Sequence, residues 1–110
     1  MISSDIIRGV IDIMILSVLY DEDSYGYEIS KQIRSLANEM YIIKETTLYS
    51  ALKRLEADGY LSSYSSKQET GKARTYYKIT QSGKNLYQEK VSEWEITKEV
   101  VEQFILTEGK

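Results

Sequence analysis

The stretch "KETTLYSALKRLEADGYL", Lys44 to Leu61, reads as one helix with a clean start and a clean stop. At about 100° per residue, Leu48, Leu52 and Leu55 fall within about 40° of one line, with Ala51 beside them. Thr46, Ser50, Lys53, Arg54 and Ala57 fall on the opposite side, and Tyr49 sits at the boundary. Gly59 follows the last turn, where a left-handed terminator belongs. The leucine face is docking surface. The other face carries hydrogen-bond donors and two cations, and its purpose decides how the rest of the chain is read.

Directly after it comes "YLSSYSSKQETGKARTYYKI". Residues 60–66 and 73–79 are rich in tyrosine and serine, and the polar stretch with Gly71 between them is turn-like. This predicts a β-hairpin. Its tip and second strand carry Lys67, Lys72, Arg74 and Lys78 against one acid, Glu69.

Upstream, "SYGYEISKQIRSLA" places Tyr25, Ile29, Ile33 and Leu36 at helical spacing, with Asp23 or Ser24 as the expected cap. "NEMYII" then reads as a connector with room for a short extended piece. Asp5 to Tyr20 is a helix that is apolar almost all round, so it should be buried on more than one side. A domain of 110 residues can cover one side, and a partner chain could cover the other.

The last segment, "TQSGKNLYQEKVSEWEITKEVVEQFIL", is a long helix with Thr80 as its expected cap. About 25 residues of helix would be roughly 37 Å long, more than so small a domain can cover. Tyr87, Val91, Trp94, Val101 and Ile105 form a coiled-coil-like stripe, with Lys98 in the one missing position. That stripe predicts a homodimer.

Several chemistries are excluded by what is missing. The chain has no cysteine and no histidine, so thiol chemistry and the commonest general base and zinc ligand are absent. "DEDSYG" at Asp21 to Gly26 begins like a calcium loop, but its fifth position is Tyr25 and its twelfth is Gln32. No acid–base or nucleophilic constellation can be named, so no enzyme, metal or cofactor is expected. The longest apolar stretch, Ile13 to Tyr20, is too short to span a bilayer, and the first ten residues lack a signal-peptide pattern. No membrane partner and a cytoplasmic location are expected.

The formal net charge is −3, but it is sorted along the chain. Residues 1–23 hold one base and five acids, residues 24–80 nine bases and six acids, and residues 81–110 four bases and six acids. A basic middle between acidic ends suits a middle that meets a polyanion.

Helix, turn, second helix with a basic outer face, then a basic hairpin is the order of a winged helix-turn-helix. An α-helix fits the B-DNA major groove, where base edges can be distinguished. Thr46 and Thr47 lie near the helix N-terminus, where hydroxyls and free N–H groups suit phosphate. Ser50 shares their face, and Lys53 and Arg54 can reach phosphates, or a guanine edge in the case of Arg54. Lys67, Lys72 and Arg74 would neutralise backbone phosphates from the hairpin. Tyr49 suits packing against the hairpin as well as it suits a phosphate.

Four segments, "YGYEISKQI", "TTLYSALKRLEADGYL", "GKARTYYKIT" and "TQSGK", occur in the order seen in PadR-like transcriptional regulators, and the chain resembles that family over nearly its whole length. Trp94 resembles the tryptophan found in the final helix of the family's short members. The resemblance implies a cytoplasmic repressor that dimerises through its last and first helices. It further implies binding to a palindromic operator and, often, release by a small molecule. In short members related to multidrug-responsive regulators, paired tryptophans line a cavity at the dimer interface. Carried over, this puts Trp94 in the cavity with Ile11, Asp12 and Ile15 nearby, and Lys98 at its end. An inward Lys98 would disfavour cationic aromatic ligands. A lone tryptophan on such a stripe is more often packing than a ligand platform.

The expected fold is mainly α with a small β-hairpin wing: a winged helix-turn-helix over 1–80, then a dimerisation helix over 81–110. The expected function is a dimeric, DNA-binding repressor. The alternative is a winged-helix protein–protein module, which would suit the negative net charge but leaves the clustered bases without a purpose.

Overall fold

The computed structural model describes residues 2–68 and 70–105; Glu69 and Leu106, counted above in the hairpin tip and the last helix, lie outside the described residues. The elements are α1 (Ser4–Leu19), β1 (Ser24–Tyr25), α2 (Gly26–Leu36), α3 (Glu45–Ala57), β2 (Leu61–Lys67), β3 (Ala73–Ile79) and α4 (Gln81–Ile105). Helices α1, α2 and α3 pack together, and a three-stranded antiparallel sheet in the order β1-β3-β2 closes the body. This is a winged helix with an added long helix.

α1 is capped by Ser3, whose hydroxyl accepts the Ile6 N–H. It buries Ile7, Ile11, Ile15, Leu16 and Leu19 and leaves Ile6 exposed. Val10, Met14 and Val18 are only partly covered. Within one chain, therefore, α1 is covered on one side, as its all-round apolarity requires of so small a body.

Residues 24–25 depart from expectation. Neither Asp23 nor Ser24 caps α2; the N-cap position is Tyr25, extended and without a side-chain cap bond. The reason is sheet pairing. Ser24 lies opposite Tyr77 and Tyr25 opposite Tyr76, so both residues are held extended as an edge strand, and Ser24 is buried. The Asp23 carboxylate is taken instead by the Tyr64 hydroxyl, which donates to it at 2.7 Å.

α2 buries Ile29 and Ile33, but Leu36, expected on the same stripe, is exposed. It is the last residue of the helix, beyond the edge of the core. A Schellman closure follows: Glu39 N–H donates to the Arg34 carbonyl and Asn38 N–H to the Ser35 carbonyl. Asn38 takes the left-handed conformation that asparagine tolerates, and Glu39 follows it at φ 66°. The Glu39 carboxylate pairs back onto Arg34. Residues 38–44 form no strand, contrary to the extended piece expected there, and Ile43 is buried among the helices.

α3 is shorter than the quoted stretch because its stop is the same device. Gly59, at φ 83°, donates to the Glu56 carbonyl, and Tyr60 N–H donates to the Leu55 carbonyl. Leu48, Ala51, Leu52 and Leu55 are buried, as the periodicity requires. Leu61 then opens β2, in register with β3 from Leu61↔Ile79 to Lys67↔Ala73.

Thr80 caps α4 by accepting the Gly83 N–H at 3.0 Å. The Thr80 and Ser82 hydroxyls both donate to the Gly59 carbonyl, tying the start of α4 to the end of α3. Gly83 is wedged against the backbone: a Cβ there would stand 2.1 Å from the Tyr60 carbonyl oxygen. Tyr87 packs on Tyr20, ring centroids 5.2 Å apart. Beyond that α4 flanks α1 across an open groove, and every described residue from Ser92 to Ile105 is exposed. The radius of gyration is 16.0 Å, against roughly 13 Å for a compact chain of this length.

Candidate nucleic-acid interface

The leucines of α3 face the core, so the opposite face is turned outward by default. Thr46, Tyr49, Ser50 and Lys53 are exposed, and Thr47 is half-buried. On the wing, Lys67 and Lys72 are exposed and Arg74 is half-buried.

Both arginines of the candidate set are already engaged within the chain. Arg54 grips Asp12 of α1 through both guanidinium ends, Nη2 to Oδ1 at 2.6 Å and Nη1 to Oδ2 at 3.1 Å. The hydrogen bond to Asp12 raises the Arg54 pKa further above its ordinary value. Arg74 stacks on the ring of Tyr25, 3.7 Å from its centroid. That ring stands edge-on to Tyr76, which is stacked on Tyr64, whose hydroxyl reaches Asp23. The bond to Asp23 pushes the Tyr64 pKa up. A ladder of aromatics thus stiffens the base of the wing and aims Arg74 at the start of α2.

Between the α2 N-terminus, α3 and the wing lies a cleft of about 360 Å³, bordered by Tyr25, Tyr27, Tyr49, Arg74 and Thr75. Tyr49 packs over Gly26 so closely that a Cβ there would stand 2.0 Å from the Tyr49 hydroxyl. Tyr49, expected against the hairpin or a phosphate, packs on the α2 start and keeps 37% of its surface exposed. Gly26 is more than punctuation, since its missing side chain is the seat of that ring. Tyr27, 70% exposed on the cleft rim, was not singled out in the sequence. Its alternation with Tyr25 around a glycine was the available signal.

A second concavity of about 620 Å³ runs between α1 and α4. Trp94, Val101 and Ile105 line it from α4, and Ile6, Val10 and Ile13 from α1. Trp94 is 42% exposed. The expected α1 neighbours are displaced by one helical face: Ile11 and Ile15 point into the core, and Asp12 is held by Arg54. Lys98 lines the groove, but its ammonium pairs with Glu95 at 3.2 Å. Tyr87, expected on the dimer stripe, packs within the chain on Tyr20, and Val91 is half-buried. The stripe also missed Ile96, Val100 and Phe104, all exposed on another face of α4 at a visible spacing of four. Among the described residues, no group of three or more acidic, histidine or cysteine side chains is placed to hold a metal ion. No helix among them is long and apolar enough to cross a membrane.

The architecture and its exposed second helix define a winged-helix regulator class, and comparison with known proteins narrows it. The model of the transcriptional regulator PadR-like family matches residues 15–89. A transcriptional regulator from Clostridium thermocellum is 57% identical, with a TM-score of 0.87 over 93% of this chain and 99% of its own. A PadR family transcription regulator from Clostridium difficile is 43% identical, with a TM-score of 0.76 over 87% of this chain and 98% of its own. The chain belongs to the PadR-like family of transcriptional regulators, whose members are not enzymes. Bacillus subtilis PadR, solved in complex with operator DNA, shares the fold at 24% identity and a TM-score of 0.68, over 74% of this chain and 46% of its own.

Proposed function

We propose that this chain is a DNA-binding repressor that acts in the cytoplasm as a homodimer on a palindromic operator. The observation that carries the reading is the meeting of α3, the α2 start and the wing at one cleft, with Arg74 and Tyr49 on its border. In that arrangement residues 1–80 form the DNA-binding unit. Thr46, Thr47, Ser50 and Lys53 face the major groove, Tyr49 and Arg74 face phosphate at the cleft, and Lys67 and Lys72 follow the backbone. Arg54 stands on the α1 side of α3, so its contribution to base reading is the weakest of the set.

α4 is the dimerisation helix in this reading. The free half of α4 and the uncovered side of α1 leave Ile6, Trp94, Val101 and Ile105 exposed, and a second copy would cover them. The same surfaces make a seat for a planar aromatic effector against Trp94, as expected for a short, tryptophan-containing member. The pairing of Lys98 with Glu95 lessens the repulsion a cationic ligand would meet there.

The test is a titration of the protein against its own upstream DNA at several salt concentrations. Affinity should fall steeply with salt, because phosphate neutralisation releases counterions. Binding that does not depend on salt, or no binding, assigns the fold to a protein–protein module instead.

A further inference from the structure

α3 is held to the body by Leu48, Ala51, Leu52 and Leu55. Those contacts are apolar and non-directional, so they fix the depth of the helix better than its rotation about its own axis. Two contacts on α3 are directional: the Ser63 hydroxyl of β2 donates to the Glu56 carboxylate on one side, and Arg54 reaches α1 on the other. The Arg54 guanidinium meets the Asp12 carboxylate end to end, across 42 residues of sequence, with one hydrogen bond to each carboxylate oxygen. The Asp12 side chain is only 13% exposed, whereas that of Arg54 is 50% exposed. Asp12 is thus fixed in the wall of α1, and Arg54 reaches over to it. Its neighbour Ile11 is in the core and its neighbour Ile13 lines the groove, so the α1 backbone at Asp12 is firmly seated.

We propose that Asp12 is a positioning residue for DNA recognition: through Arg54 it sets the rotation of α3 against α1, and so the aim of Thr46, Thr47, Ser50 and Lys53. The inference rests on the DNA-binding reading above. The Arg54 end of the pair is half in solvent, so the pair contributes little to stability. Its removal should therefore leave the fold intact and change what the fold aims at.

The experiment uses the full chain and two probes. One is a duplex of about 30 base pairs, long enough for two half-sites a turn apart, selected from a random pool by the wild-type protein. The other is the unselected pool. Asp12→Asn should lose about tenfold in the ratio of the two affinities, the size expected of a coupled pair. Its affinity for the unselected pool should hold or rise slightly, since one negative charge is gone. Arg54→Lys keeps the charge but not the fork and should lose the ratio as well. The double variant Asp12→Asn with Arg54→Lys should lose no more than the larger single loss. Thermal midpoints of all variants should stay close to the wild type. An unchanged ratio in Asp12→Asn, or an equal loss on both probes, overturns the inference. A wild-type protein that enriches no duplex removes the DNA-binding reading first and this inference with it.

Discussion

The body from α1 to β3 and the free half of α4 place their apolar side chains in opposite ways. In the body, fifteen hydrophobic residues from Ile7 to Ile79 form one buried cluster. From Ser92 onward α4 buries none of its described residues, yet carries Trp94, Ile96, Val100, Val101, Phe104 and Ile105. A lone helix of that length in water is marginal without a packed face. The body is thus self-sufficient, whereas the free half of α4 has its apolar residues set for contact with something else.

The largest effect should come from cutting the chain at that division. Truncation after Lys90 should leave the body's helical signal in circular dichroism and give monomers in sedimentation. A truncated chain that sediments as a stable dimer would break the comparison. Next in size is a paired substitution that contrasts the two halves. Leu52→Ala, at a fully buried position, should cost about 2–5 kcal/mol in chemical unfolding. Phe104→Ala, at a position 70% exposed, should leave unfolding of the body unchanged while weakening association. Equal effects on unfolding at fixed, low protein concentration would remove the distinction.

Gly83→Ala sharpens the comparison at the joint itself. A methyl group there meets the Tyr60 carbonyl, a backbone atom that cannot swing aside. The expected cost is about 1–3 kcal/mol, read as a lowered thermal midpoint. This should outweigh the gain of up to about 1 kcal/mol that alanine has over glycine inside a helix. A raised midpoint would show that the joint has slack.

The smallest effect is that of pH. With no histidine, the chain has no side chain that ordinarily titrates near neutrality, so its stability should be flat there. Burial pushes the Tyr77 phenol above its ordinary pKa of 10.0, with Glu56 and Tyr49 adding to the shift, and burial does the same for Tyr41. A raised folded-state pKa means that the folded chain holds these protons more tightly. Their contribution is complete below pH 10 and is lost as pH rises through the folded values. A fall in thermal midpoint that begins only above about pH 10 is expected; a decline across pH 6 to 8 would point to a group elsewhere.

What could be read in the sequence was what local periodicity and local chemistry encode. The leucine line of α3, its Gly59 stop, the hairpin and the Thr80 cap all depend on residues a few positions apart, and each is present. β1 was missed because two residues are too few to show alternation, and its partner Tyr76–Tyr77 lies about fifty positions away. The Asp12–Arg54 pair and the seat of Tyr49 on Gly26 are likewise long-range, and nothing in their own segments announces them. The family resemblance sets Ile11 and Ile15 beside Trp94, and an all-round apolar helix does not itself reveal which face meets which neighbour. Ile96, Val100 and Phe104 were legible at their spacing of four, but the stronger stripe drew the reading away from them.

Gly83 has one more consequence, and it is mechanical. A rod held at one end multiplies angle into distance. From Gly83 to Ile105, α4 runs about 33 Å, so a tilt of roughly 5° at the glycine moves the far tip by about 3 Å. In a two-fold assembly built on that tip, the same tilt would change the span between two reading helices that must match one DNA turn of about 34 Å. The missing side chain at residue 83 is in that sense a calibration point: it trims the reach of the whole molecule from the place where almost nothing protrudes.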